Sequence, residues 1–84
     1  MATPAPLPLS ALNLPERLHD YLDMCLRVIT HTQGALRDRN EQRAIGVVEA
    51  LQYLKTINRA EGDVLRGMIE GTAQVARQAV EVRA

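Results

Sequence analysis

The side chains that could do chemistry in this sequence are few: two histidines, one cysteine and ten carboxylates. His19 and Asp23 are four positions apart, a spacing that places two metal ligands on one face of a helix. Asp20 is adjacent, but His31 points in another direction, and no second His/Glu pair follows to complete a set of four ligands. We therefore expect no metal site, with these polar side chains facing solvent.

Cys25 lies in the middle of an apolar stripe, where a thiol behaves as a small buried hydrophobe rather than as a nucleophile. Gly62, Gly67 and Gly71 do not follow a strand, so they do not form a phosphate-binding loop. The sequence therefore predicts no catalytic residue, no metal and no cofactor, and we expect a protein that is not an enzyme. A single cysteine also excludes an internal disulfide and fits the reducing cytoplasm.

Length and composition favour association with another chain. The 84 residues make at most one small domain, and a chain of this size buries only about 60–65% of its unfolded surface. Apolar residues make up 46% of the chain, but only Tyr21 and Tyr53 are aromatic. Because aromatic rings bury the most area per side chain, a monomer would have a thin core, and we expect a homodimer or higher oligomer.

Charge is balanced along the whole chain, with ten basic and ten acidic residues. Nucleic-acid binders concentrate Lys and Arg on one face to displace counterions, and no segment here does so. The same balance counts against docking on anionic lipid. No apolar run approaches 18 residues, and the start lacks the basic region of a signal peptide. We expect a cytoplasmic protein that binds neither membranes nor nucleic acid.

The N-terminal residues 1–12 are predicted to form a flexible, Pro-rich arm. Pro4, Pro6 and Pro8 occupy every second position, which blocks helix formation and favours an extended chain. The arm is either a disordered tail or a segment whose leucines dock on a neighbouring surface. Residues 13–84 are predicted to form a single helical domain.

The first helix is predicted over residues 14–33. Asn13, Pro15 and Glu16 make a capping-box pattern at its start, and Gly34 is the signal that ends it. Acidic residues fall on one side of this helix. Counting 3.6 residues per turn, the apolar residues share the other side: Leu14, Leu18, Tyr21, Leu22, Cys25, Val28 and Ile29.

The polar segment GALRDRNEQR, residues 34–43, is predicted to be a loop, and a long, kinked helix is predicted to follow over residues 39–82. The apolar faces before and after residues 58–62 coincide when 100° is counted per residue, and a sharp turn would not require that agreement. We therefore expect an all-α helical hairpin. The alternative is a compact three-helix bundle with a break near residues 58–62, where Asn58 and Glu61 could start a third helix.

Small residues line one side of the C-terminal half. Gly67 and Gly71 each weaken a helix by about 1 kcal/mol relative to alanine, so their presence needs a reason. A stripe of small residues lets another helix approach closely and add dispersion contacts. If the chain forms the long hairpin, the approaching helix belongs to another protein chain. If the chain forms the three-helix bundle, it belongs to this chain. The predicted oligomer or partner interface comprises Val64, Leu65, Gly67, Met68, Gly71, Thr72, Val75, Ala79 and Val82.

Four residues near the predicted hairpin tip are candidates for exposed contacts with a partner. Arginine is favoured at interfaces because its planar guanidinium makes bidentate pairs, and the isoleucine points toward the polar side of its helix. The candidates are Arg37, Arg39, Arg43 and Ile45.

Three functions fit these features. The first is a small non-enzymatic adaptor, chaperone-like protein, inhibitor or regulator that binds itself and a target protein through helix faces. The second is a self-assembling structural subunit. The third is a nucleic-acid-binding regulator of the plasmid or phage type, and the balanced charge counts against it.

Overall fold

The chain folds into three α-helices in a computed structural model, which describes residues 9–83 and the side chains of residues 9–79. Helix α1 spans Glu16–His31, α2 spans Gly34–Tyr53, and α3 spans Arg59–Arg83, after a short 3-10 helix over Leu9–Ala11. No strand occurs among these residues. The all-α fold class predicted from the sequence is confirmed.

The continuous helix predicted over residues 39–82 is wrong, and the three-helix alternative fits the structure. The chain turns at residues 54–58, slightly before the break expected near 58–62, and α3 packs against both α2 and α1. The longest dimension of the fold is 42 Å. A helix of the predicted length would extend about 66 Å.

A Schellman motif ends α2 without the glycine that is most common there. Lys55 adopts the left-handed conformation with a φ of 61°. Its amide donates to the carbonyl of Gln52 at 3.0 Å, and the amide of Thr56 donates to the carbonyl of Leu51 at 2.9 Å. Ile57 then enters the core. No Gly or Pro marks this turn, which is why the apolar periodicity suggested that one helix continues through it.

The capping box at the start of α3 is present as the three-helix alternative expected. Asn58 Oδ1 accepts a hydrogen bond from the amide of Glu61 at 2.8 Å. In return, Glu61 Oε1 accepts one from the amide of Asn58 at 3.0 Å. These bonds satisfy two backbone donors at the helix start, so α3 begins sharply after the turn.

The loop predicted over residues 34–43 is wrong, because this segment is the first half of α2. The connection from α1 is only two residues long, and Gly34 turns the chain with a φ of 59°. Thr32 holds this junction together. Its hydroxyl donates to the carbonyl of Val28 at 2.8 Å, and its own carbonyl accepts a hydrogen bond from Arg37 Nε at 2.9 Å.

Helix α1 forms close to the predicted bounds but without the predicted cap. The N-cap position is Pro15, and no side chain caps the helix. The pattern formed by Asn13 and Glu16 is therefore not a capping box. The amphipathic spacing, rather than the cap, identified this helix correctly.

The core is aliphatic and draws on all three helices and on the N-terminal segment. Leu9, predicted to belong to the flexible arm, is buried in this core, whereas residues 1–8 lie outside the described residues. The buried apolar residues are Leu9, Leu22, Ile29, Ala44, Val48, Ile57, Leu65, Met68, Ile69 and Ala73.

Candidate interaction surface

The polar residues considered for metal binding are not brought together. His19 Nδ1 lies 3.3 Å from Asp20 Oδ1, while Asp23 pairs instead with Arg27 at 3.0 Å. In the part of the chain that the structure describes, no group of three or more His, Cys, Asp or Glu side chains could hold a metal ion.

The thiol of Cys25 is half-buried beside α2. Burial raises the pKa of this thiol, and a hydrogen bond with Tyr21 and the positive charge of Arg43 oppose that shift. Because the protonated form is favoured, the side chain lacks the thiolate character of a nucleophile.

A shallow depression lies at the turn between α2 and α3. Its polar lining includes Gln52, Lys55 and Thr56 on one side and Asn58, Arg59 and Glu61 on the other. The groups of the Schellman motif and of the capping box already bond one another.

The interface predicted on α3 is partly taken up by the chain's own core. Leu65 and Met68 are buried against α1 and α2, and Val64 packs on the same cluster. Thr72 is half-buried. Leu65, Met68 and Val64 therefore stabilise the bundle itself.

The rest of the predicted α3 interface lies on the surface. An added Cβ at Gly67 or Gly71 meets no atom within 4 Å, so the expectation that a bundle packs these glycines within one chain is wrong. Val75 is 65% exposed and Ala79 is also exposed. The side chain of Val82 lies outside the described residues.

Gly62 is the glycine at which two helices of this chain approach closely. It is buried, and a Cβ at this position would collide with the amide group of Gln52. Gln52 Oε1 accepts a hydrogen bond from Arg66 Nη1 at 2.8 Å, so the amide is held where the collision occurs. The sequence predicted close packing at Gly67 and Gly71 because these two glycines are four residues apart and form a stripe. Gly62 is not part of that stripe, so its spacing gave no such signal.

Two of the four residues predicted as exposed partner contacts turn inward. Arg37 is 4% exposed and bonds the end of α1, and Ile45 is half-buried against the core. Both predictions of exposure are wrong because the polar segment is helical and directs these side chains to the interior. Arg39 and Arg43 are exposed as expected.

A second inward-facing polar group joins α2 to α3. Arg77 Nη2 donates to Asp38 Oδ1 at 2.9 Å and also to the buried carboxylate of Glu41. These two bonds raise the pKa of the Arg77 guanidinium. The polar first half of α2 thus faces α3, and its opposite side is left for solvent.

Most of the large exposed apolar side chains that the structure describes belong to α1 and to the two ends of α2. On α1, Tyr21, Met24 and Val28 are 42%, 51% and 39% exposed, and we call them the α1 strip. Near the two ends of α2, Leu36 and the C-cap residue Leu54 are 53% and 70% exposed, and we call them the α2 strip. Five of the seven large exposed apolar side chains among the described residues belong to these strips.

We call the two strips together the outer face. Leu36 and Leu54 are five helical turns apart, and Arg43 lies on the same side of α2 as both. The positive charge of Arg43 acts on the Cys25 thiol of α1, so this side of α2 is the one directed toward α1. The sequence contained a signal for this surface. The apolar residues of α1 cover a wider part of the helix surface than the part that packs against the core.

None of the helices within residues 9–83 combines the length and the apolar character needed to cross a bilayer. No protein-family model, curated protein or solved structure matches this chain.

Proposed function

We propose that this protein is a small, non-enzymatic, cytoplasmic interaction module that binds a target protein through the outer face. The observation that carries the proposal is that five large apolar side chains of α1 and of the ends of α2 are exposed on a small bundle. Exposed apolar surface that exceeds single scattered residues marks interaction sites.

The composition of the outer face supports a protein partner. Tyrosine, methionine and arginine are enriched in the centres of protein interfaces, and the face combines Tyr21 and Met24 with the exposed Arg43. Exposed apolar side chains on a helix suit an apolar helix or an extended apolar segment of the target. Arg39 and Arg43 would then favour carboxylates on that segment.

The other candidate functions gain less support. A filament needs two different complementary surfaces on each subunit, whereas the exposed apolar residues are mostly on one. A nucleic-acid binder needs free cations, but Arg66 and Arg77 are paired with carboxylates and Arg37 is buried. An adaptor, inhibitor or regulator that docks by one face accounts best for these features.

A photo-crosslinking amino acid at Leu36 tests the proposal in the native cell. We expect an adduct between this chain and a target of different sequence. The matched control is the same substitution at Val75, which is similarly exposed on α3, and it should give no adduct. Adducts from Val75 alone would place the partner on the surface that the sequence predicted, and the proposal would be wrong.

A further inference from the structure

We infer that the α1 strip is the docking site of a second copy of this chain, with the two α1 helices antiparallel about an axis near Met24. The inference rests on the proposed function, because it divides the outer face: a second copy covers α1 and the target binds at the α2 strip. The sequence placed the oligomer contact on α3 instead.

The charges beside the α1 strip identify the partner. Glu16 and Asp20 lie on the solvent side in the first half of α1, and Arg27 and His31 lie on the same side in the second half, within about 60° of one another. An antiparallel copy brings Asp20 opposite the partner's Arg27 twice, and it brings Glu16 opposite the partner's His31, whose imidazole can donate a hydrogen bond to a carboxylate. A parallel copy would oppose like charges. An isologous two-fold interface requires this kind of self-complementary surface.

The apolar residues give the same register independently of the charges. With the axis near Met24, the two Met24 side chains meet, and Tyr21 of each copy lies opposite the partner's Val28. For each pair, the midpoint between the two residue numbers lies within one residue of Met24. This holds for the polar pairs and for the apolar pairs. Agreement between the two sets is the reason to choose a second copy over an unrelated helix.

The charged groups are exposed, although Asp20 also contacts His19 of its own helix at 3.3 Å. The side chains of Asp20 and Arg27 are 72% and 75% exposed. Arg27 bonds Asp23 within its own helix through one nitrogen, which leaves other guanidinium donors for a partner. Arg17 is the one cation near the acidic end of the strip, and its long stem can carry the charge to solvent beyond Tyr21.

Sedimentation equilibrium tests the inference. We expect the wild-type chain to reach twice the 9.3 kDa of the monomer. Met24→Glu should raise the dimer dissociation constant by about 100-fold, because the two introduced carboxylates would be buried close to each other at the two-fold axis. Val75→Glu, at a similarly exposed position on α3, is the matched control and should leave the constant unchanged. Circular dichroism should show the same helix content for both variants.

A charge exchange tests the antiparallel register. Asp20→Arg and Arg27→Glu should each weaken the dimer by about 10-fold, and the double variant should recover most of that loss. If the double variant dimerises no more tightly than either single variant, the antiparallel register is wrong. A chain that stays at 9.3 kDa at every concentration would overturn the whole inference, yet the Leu36 crosslink to a target would still stand.

Discussion

Gly62 and Gly67 are a matched pair that tests the contact between α2 and α3. Both lie inside α3, so alanine at either position removes the same conformational penalty of about 1 kcal/mol. At Gly67 the new Cβ meets no atom within 4 Å. We therefore expect Gly67→Ala to increase the free energy of unfolding by about 1 kcal/mol.

At Gly62 the new Cβ displaces the amide group of Gln52, which then loses its hydrogen bond from Arg66. A hydrogen bond to a charged donor contributes about 1.5–3 kcal/mol. The lower value applies because the Arg66 side chain is 28% exposed. The removal of glycine from the helix offsets about 1 kcal/mol of this loss. Gly62→Ala should therefore lower the free energy of unfolding by about 0.5 kcal/mol. This variant should be about 1.5 kcal/mol less stable than Gly67→Ala.

Urea denaturation followed by far-UV circular dichroism measures both variants at one protein concentration. Gln52→Ala supplies the control, because it removes the displaced group. In that background Gly62→Ala should stabilise by about 1 kcal/mol, as it does at an open position. If Gly62→Ala stabilises the otherwise wild-type chain as much as Gly67→Ala does, then α2 and α3 do not pack as described. A single uninterrupted helix would give that result.

Three further substitutions or reactions test local features. Lys55→Gly should stabilise by about 0.5–1 kcal/mol, since glycine takes the left-handed conformation of the turn without strain; a loss of stability would contradict the Schellman motif. Asn58→Ala should cost about 1 kcal/mol in urea denaturation because α3 loses its cap, and no change would contradict the capping box. Cys25 should react with iodoacetamide more slowly in the native than in the unfolded chain at mildly alkaline pH, because its raised pKa reduces the thiolate; equal rates would contradict its burial.

The sequence predicted α1 from its periodicity and the start of α3 from its capping chemistry. Helix α1 has a strong amphipathic pattern, and Asn58 with Glu61 forms the capping box that the three-helix alternative proposed. The turn before it was missed because Lys55 takes a conformation usually given to glycine. The start of α2 was missed because buried Arg37 and Glu41 look like loop residues in a polar run.

The exposed surface was only partly predictable. Periodicity put Tyr21, Leu22 and Val28 on one apolar side of α1, but it could not tell which of them the other helices cover. In the structure Leu22 is buried while Tyr21 and Val28 are exposed. That division depends on where α2 and α3 lie, and the sequence had joined those two helices into one.

Hydroxyl-radical footprinting of the chain in its native cell tests the role of the outer face most directly, because it reports on burial at the face whatever the partner is. Compared with the dilute isolated chain, Met24 and Leu36 should be protected, while Val75 should react equally in both samples. Protection of Val75 with Met24 and Leu36 unchanged would contradict the account.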